Sequence, residues 1–200
     1  MKTNYKIVIG VVALIVILWV ALGYKLIDLK KKEKFYGFHV GKQITDHTLT
    51  SQDGRKLSFS DLRGDIILVN FGYTSCPDVC PTTLAKLRMI YEQLGSKKDR
   101  VDVLFITIDP ERDTKEKLAK FVPYFDKDFI GLTGSTDEIK KVADDFNVNY
   151  FKEAVKSDTD YLMSHTSSVF LVNAGGEILL KYPQQMLDPE KVAGDIEMLL

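Results

Sequence analysis

The chain has 200 residues, with 27 Lys and Arg set against 28 Asp and Glu, for a net charge of −1. That length suits one domain plus an appendage, and the balanced charge lacks the basic footprint of a nucleic-acid partner, so none is expected. Hydrophobic residues make up 45% of the chain and it has 2 cysteines, which supplies material for one core and excludes a disulfide-dense scaffold.

Residues 1–6 form a short N-terminal flank. Ile7 to Tyr24 is uncharged, lies between Lys6 and Lys25, and carries Trp19 and Tyr24 near its far end. A helical run of about 18 residues spans roughly 27 Å, one hydrocarbon core, and Trp and Tyr favour the membrane boundary. Residues 7–24 are therefore expected to form a transmembrane anchor. A cleaved signal peptide, with Ala21-Leu22-Gly23 as a small-x-small site, is the alternative; the apolar run exceeds the usual signal length, which favours the anchor. No cysteine stands directly after the run, as a lipoprotein would need. Lys2 and Lys6 precede it, while Lys25, Lys30, Lys31, Lys32 and Lys34 lie beyond it; the positive-inside rule alone would put the large domain in the cytoplasm. Residues 25–36 read as a charged tether and 37–200 as the folded domain.

Within 48–59, Asp53-Gly54 separates two short alternating runs, a hairpin signal. Ile66 to Phe71 is continuously apolar, as in a strand buried on both faces. After the cysteines, Leu84, Leu87, Tyr91 and Leu94 recur at helical spacing. Val101 to Ile108 predicts the next strand, ended by Asp109-Pro110. A second helix is expected from about Thr114, with Leu118, Phe121, Val122 and Phe125 on one face and Asp113 as its cap. A third starts near Thr136, with Ile139, Val142, Ala143 and Phe146 inward. Ser168 to Val172 and Glu177 to Tyr182 flank Gly175-Gly176 as a second hairpin, and Val192, Ile196 and Leu199 mark a last helix. This order predicts an α/β fold with a mixed central sheet covered by helices on both faces, matching a thioredoxin-like core behind an N-terminal hairpin.

Cys76 and Cys80 lie in Phe71-Gly-Tyr-Thr-Ser-Cys-Pro-Asp-Val-Cys-Pro81, where a buried strand passes into a helix. Ligands and chemistry sit at such junctions. At i and i+4 the two sulfurs are expected on one face of a helical turn, and a helix N-terminus favours thiolates. Three intervening residues permit either a disulfide or a shared metal but depart from the two-residue spacing of dithiol exchange motifs. Two soft thiolates begin a copper(I) site, and imidazole suits copper in either oxidation state. His165, just before the strand at Ser168, can supply that imidazole or be an ordinary hydrogen-bonded histidine. No proline lies between Pro123 and Pro183, so the cis-proline usual before this strand in thioredoxin-like folds is absent. His39 and His47 read as surface residues.

The chain resembles the Sco/SenC proteins, copper chaperones for the binuclear copper centre of cytochrome c oxidase. The resemblance covers roughly residues 37–200 and rests on the undecapeptide Phe71–Pro81, with Asp53-Gly54, Asp61-Leu-Arg-Gly64, Ile108-Asp-Pro-Glu-Arg-Asp-Thr114, Gly131-Leu-Thr-Gly134 and His165-Thr-Ser-Ser. It implies a thioredoxin-like fold, one membrane anchor, and Cu(I) or Cu(II) held by Cys76, Cys80 and His165. Asp78 and Asp109 match acidic residues near the site and would tune it from behind the ligands. Ser164 departs from the family, which often has Asp there. The implied location is the bacterial plasma membrane with the domain facing the periplasm or exterior, against the charge rule. The implied partners are the copper-bearing oxidase subunit and, in addition, other copper chaperones or thiol reductants. An alternative function is a thiol–disulfide oxidoreductase using Cys76 and Cys80 as a redox pair on the oxidase cysteines or another extracytoplasmic partner. A peroxiredoxin-like peroxidase leaves the second cysteine and His165 unexplained.

Overall fold

The computed structural model describes residues 5–32, 35–62, 65–157 and 160–200. Arg63 and Gly64 of the Asp61-Leu-Arg-Gly match lie outside them, as do Lys2 and Lys34. The chain divides into two units, Met1–Phe35 and Tyr36–Leu200.

The first unit is the helix α1, Tyr5–Lys32. Its window Val8–Lys25 has a mean hydropathy of 2.4 with none of it buried, which makes it long and apolar enough to cross a membrane. The helix runs on through Lys25 to Lys32, so the charged stretch read as a tether leaves the apolar run in helical form.

In the second unit an eight-stranded mixed sheet carries the core. Its strands are β1 (Phe38–Gln43), β2 (Thr48–Ser51), β3 (Lys56–Ser58), β4 (Ile66–Gly72), β5 (Val101–Thr107), β6 (Ile130–Thr133), β9 (Ser168–Asn173) and β10 (Glu177–Pro183). Among the described residues, strands β7 (Tyr150–Glu153) and β8 (Leu162–His165) pair only with each other. Helices α2 (Val79–Gln93), α3 (Lys115–Phe121), α4 (Thr136–Asp145) and α5 (Pro189–Leu199) complete the unit. Across the sheet the order is β1-β10-β9-β4-β5-β6-β2-β3. The three strands β4, β5 and β6 run parallel, and β9 lies antiparallel to β4. The expected thioredoxin-like α/β architecture with its opening hairpin is the one observed.

Every residue of β4 is buried, which is why it reads as an apolar run interrupted only by Asn70. Successive strand residues face opposite sides. Phe71 packs edge-on to Phe146, the C-cap of α4, ring centres 5.2 Å apart, and Phe146 meets Phe170 of β9 at 5.1 Å. Gly72 faces the other layer, against Phe105 and Cys80.

Four strands escaped the sequence reading. Most of β1 is exposed at the sheet edge, and its register slips between His39 and Lys42, where Gly41 has φ +67°. Only four residues long, β6 includes Gly131. The mostly exposed β7 and partly exposed β8 carry no clean alternation. The expected cap of the second helix is also corrected. The side chain of Thr114 accepts from the Lys117 N–H, whereas Asp113 is drawn inward, fully buried, by donors on Thr74 and Thr107. His47 is not a plain surface residue either: its Nε2 lies 2.8 Å from Asp145 Oδ2. His39 stands on exposed β1.

Candidate functional site

The end of β4 delivers Tyr73 and the loop 73–78 to the N-terminus of α2. The helix begins at Val79 with Asp78 as N-cap. Pro81 sits in the first turn, where its missing N–H costs no intrahelical bond. Cys80 is therefore helical and Cys76 is not. Cys76 lies in the loop before Asp78, so the two cysteines do not share one helical turn as the i, i+4 spacing suggested. The Cys80 side chain and the backbone N–H groups of Cys80, Asp78 and Val79, at the start of α2, favour the charged form of Cys76. These donors hold the Cys76 thiol well below its ordinary range, at about 5. The same side-chain interaction, with burial behind it, pushes Cys80 strongly up. The two thiols are thus unequal: half-buried Cys76 is the more acidic, and Cys80, 2% exposed, the less.

His165 ends β8, paired with Tyr150 across the hairpin. Its Nδ1 donates to the Thr166 carbonyl at 3.1 Å, and its Nε2 stands 3.7 Å from Cys80 Sγ. Burial lowers the imidazole from its usual value. A neutral ring with Nδ1–H tied to a carbonyl presents the Nε2 lone pair, the form that ligates metals. The Tyr73 ring meets the imidazole edge to face, centres 6.4 Å apart.

The spacing can be compared with coordination geometry. A sulfur about 2.3 Å and a nitrogen about 2.0 Å from one ion, at about 120°, are about 3.7 Å apart. Among the described residues no three His, Cys, Asp or Glu side chains stand in a preformed metal cage. The geometry that exists is Cys80 and His165 in contact, with Cys76 in the loop just before α2. Two thiolates and a neutral imidazole fit a soft ion such as copper, and the donor set lacks the hard oxygens that magnesium or calcium would need.

Asp78 and Asp109 play unlike parts. Asp78 is exposed; its backbone N–H serves Cys76, while its carboxylate accepts from Thr82 Oγ1 at 3.3 Å. Asp109 is buried, accepting from Tyr161 Oη at 2.8 Å and Arg112 Nε at 2.5 Å. It reaches the site through others: the Arg112 guanidinium lies 3.6 Å over the Tyr161 ring and 5.8 Å from the Tyr73 ring.

Two contributors were missed from sequence. Asp113 accepts from Thr74 N at 2.8 Å, Thr74 Oγ1 at 2.6 Å and Thr107 Oγ1 at 2.8 Å. Lys117 Nζ bridges it, at 3.4 Å, to Ser75 Oγ at 3.0 Å. The residues just before Cys76 are thus tied to β5 and α3. Gly72 is the other: a Cβ there would lie 2.8 Å from Cys80 Sγ and 2.7 Å from Phe105. Its place beside Phe71 in the undecapeptide was the available signal.

The SCO1/SenC family model matches residues 40–200. A SCO2-like protein of Rickettsia conorii is 35% identical over 199 residues, covering 92% of this chain and 97% of the relative. The solution structure of apo Sco1 from Thermus thermophilus aligns with a TM-score of 0.76 and 34% identity, over 84% of this chain and 98% of that one. ScoI of Bradyrhizobium japonicum, solved with copper bound, aligns at 0.72 and 35%, over 80% of this chain and 99% of its own.

Proposed function

We propose that this chain, which belongs to the SCO1/SenC family, is a copper metallochaperone whose cargo ion is held by Cys76, Cys80 and His165. The observation that carries the reading is the 3.7 Å approach of His165 Nε2 to Cys80 Sγ, with Nδ1 occupied by a carbonyl. Supporting it, a relative 35% identical is solved with copper bound. Cys76 is the half-buried sulfur, so an incoming ligand from an acceptor meets that side first while Cys80 and His165 still grip the ion. Asp78 and Asp109 act from behind the ligands. The acceptor in this reading is the copper-bearing subunit of cytochrome c oxidase, and α1 anchors the domain on the outer side of the bacterial plasma membrane.

The test is titration of the full chain in detergent with Cu(I) and Cu(II), reading spectra for sulfur and nitrogen ligation. Wild type is expected to bind one ion, and His165→Ala to lose most of that affinity while its dithiol still oxidises. Unchanged copper binding in His165→Ala refutes the ligand set.

A second reading, thiol–disulfide exchange on a partner, is favoured by the asymmetry of the pair: one accessible sulfur and one buried behind it. Cys76 would attack a partner disulfide to give a mixed disulfide, which Cys80 resolves, leaving the partner reduced and the pair oxidised. Under it, Cys76→Ser abolishes reduction of a disulfide substrate and His165→Ala does not.

A further inference from the structure

His165 is carried on an element that the main sheet does not hold. Strands β7 and β8 form their own two-stranded sheet, so among the described residues no strand ladder ties the imidazole to the central sheet. At the base of the hairpin the Thr166 N–H donates to the Asn149 carbonyl at 3.0 Å, a contact within the hairpin itself. Polar links to the rest of the domain gather instead on the turn after β5. Arg112 Nη1 donates to the Tyr161 carbonyl at 2.8 Å, and Tyr161 Oη donates to Asp109 Oδ1 at 2.8 Å. Lys152 of β7 pairs with Glu111 at 2.7 Å.

Tyr161 is held from both ends and across its face. Its backbone oxygen and its hydroxyl are both engaged, and the guanidinium that takes the first also covers the ring at 3.6 Å. Arg112 is fixed in turn by Asp109, at 2.5 Å. Tyr161 is buried and enters β8 four residues before His165. Four strand residues are a rigid arm of about 13 Å. A rotation at Tyr161 therefore becomes a displacement of the ring at His165, and a ligand misplaced by about an ångström is a poor ligand.

We propose that Arg112 and Tyr161 are positioning residues, a clamp that seats His165 against Cys80 by fixing the hairpin that carries it. The proposal rests on the assignment of His165 as a copper ligand. The clamp touches no copper ligand itself; it acts through the hairpin. Loss of such a supporting contact commonly weakens a metal site by roughly 10–100-fold.

The test uses the full chain in detergent, loaded with Cu(II), and tracks release to EDTA together with the nitrogen signature in the electron paramagnetic resonance spectrum. Tyr161→Phe and Arg112→Lys are each expected to speed release by about 10-fold or more and to broaden the nitrogen signature. In the metal-free protein, amide exchange at Ser164 and His165 should quicken in both variants while the central strands stay protected. His165→Ala alone should release copper fast, and adding Tyr161→Phe to it should change nothing further. An equal acceleration by Tyr161→Phe in the His165→Ala background overturns the clamp, as does wild-type release from both single variants. Wild-type release from His165→Ala itself would instead sink the ligand reading. Should Tyr161→Phe fail to fold, Arg112→Lys, which keeps the charge, carries the same comparison.

Discussion

Asp113→Ala should destabilise the domain more than any ligand substitution. The carboxylate is 0% exposed and accepts three close hydrogen bonds, from Thr74 N, Thr74 Oγ1 and Thr107 Oγ1, with Lys117 Nζ a fourth, longer partner. A hydrogen bond to a charged group contributes about 1.5–3 kcal/mol, and a donor left buried without a partner costs about 1–3 kcal/mol. The Thr74 N–H is fixed in the backbone, while the two hydroxyls can rotate toward other acceptors, so the losses do not sum fully. The net cost is about 3–5 kcal/mol, a large share of the about 5–15 kcal/mol that holds a domain together. Asp113→Asn keeps the shape and one acceptor oxygen and should cost about half as much. Urea unfolding of the full chain in detergent, monitored by near-ultraviolet circular dichroism, measures this. The single tryptophan, Trp19, lies in α1, so its fluorescence does not report on the domain, whereas buried Tyr73 and Tyr182 do. The midpoint should fall with little change in slope. A cost for Asp113→Ala of less than about 1 kcal/mol, no more than one ordinary hydrogen bond, would refute the claim that this carboxylate ties the cysteine loop to β5.

Gly72→Ala places a methyl 2.8 Å from Cys80 Sγ and 2.7 Å from Phe105; it should cost about 1–3 kcal/mol in the same assay and weaken copper binding by moving the sulfur. Gly194→Ala in α5 meets nothing within 4 Å and should gain up to about 1 kcal/mol. In the metal-free protein, iodoacetamide should modify Cys76 first, with reactivity persisting down to about pH 5 because its thiol is lowered to about 5. Cys80→Ala, which removes the side-chain donor, should shift that limit upward, and mass spectrometry reads both. Removing residues 1–34 is expected to give a soluble, folded domain that still binds copper, checked by circular dichroism and titration; an aggregated or unfolded product would count against the two-unit reading.

The sequence alone determined the features written in local pattern. Ile66 to Phe71 had to be a doubly buried strand because no polar residue but Asn70 interrupts it. Asp53-Gly54 set the first hairpin, with Gly54 at φ +88°, and the spacing of Leu84, Leu87 and Tyr91 set α2. The two cysteines and the helix after them were likewise legible, as was the apolar run of α1. Tertiary structure decided the rest, because it depends on residues far apart in the chain. Asp113 looked like a helix cap and is a buried anchor, since its donors come from Thr74 and Thr107. Cys76 looked helical and lies outside α2, in a loop whose Cys76 N–H turns back to the Tyr73 carbonyl. The strand holding His165 leaves no periodic trace because its partner is the mostly exposed β7. The 85-residue separation of His165 from Cys80 closes to 3.7 Å only when the sheet brings the end of β4 beside the start of β9.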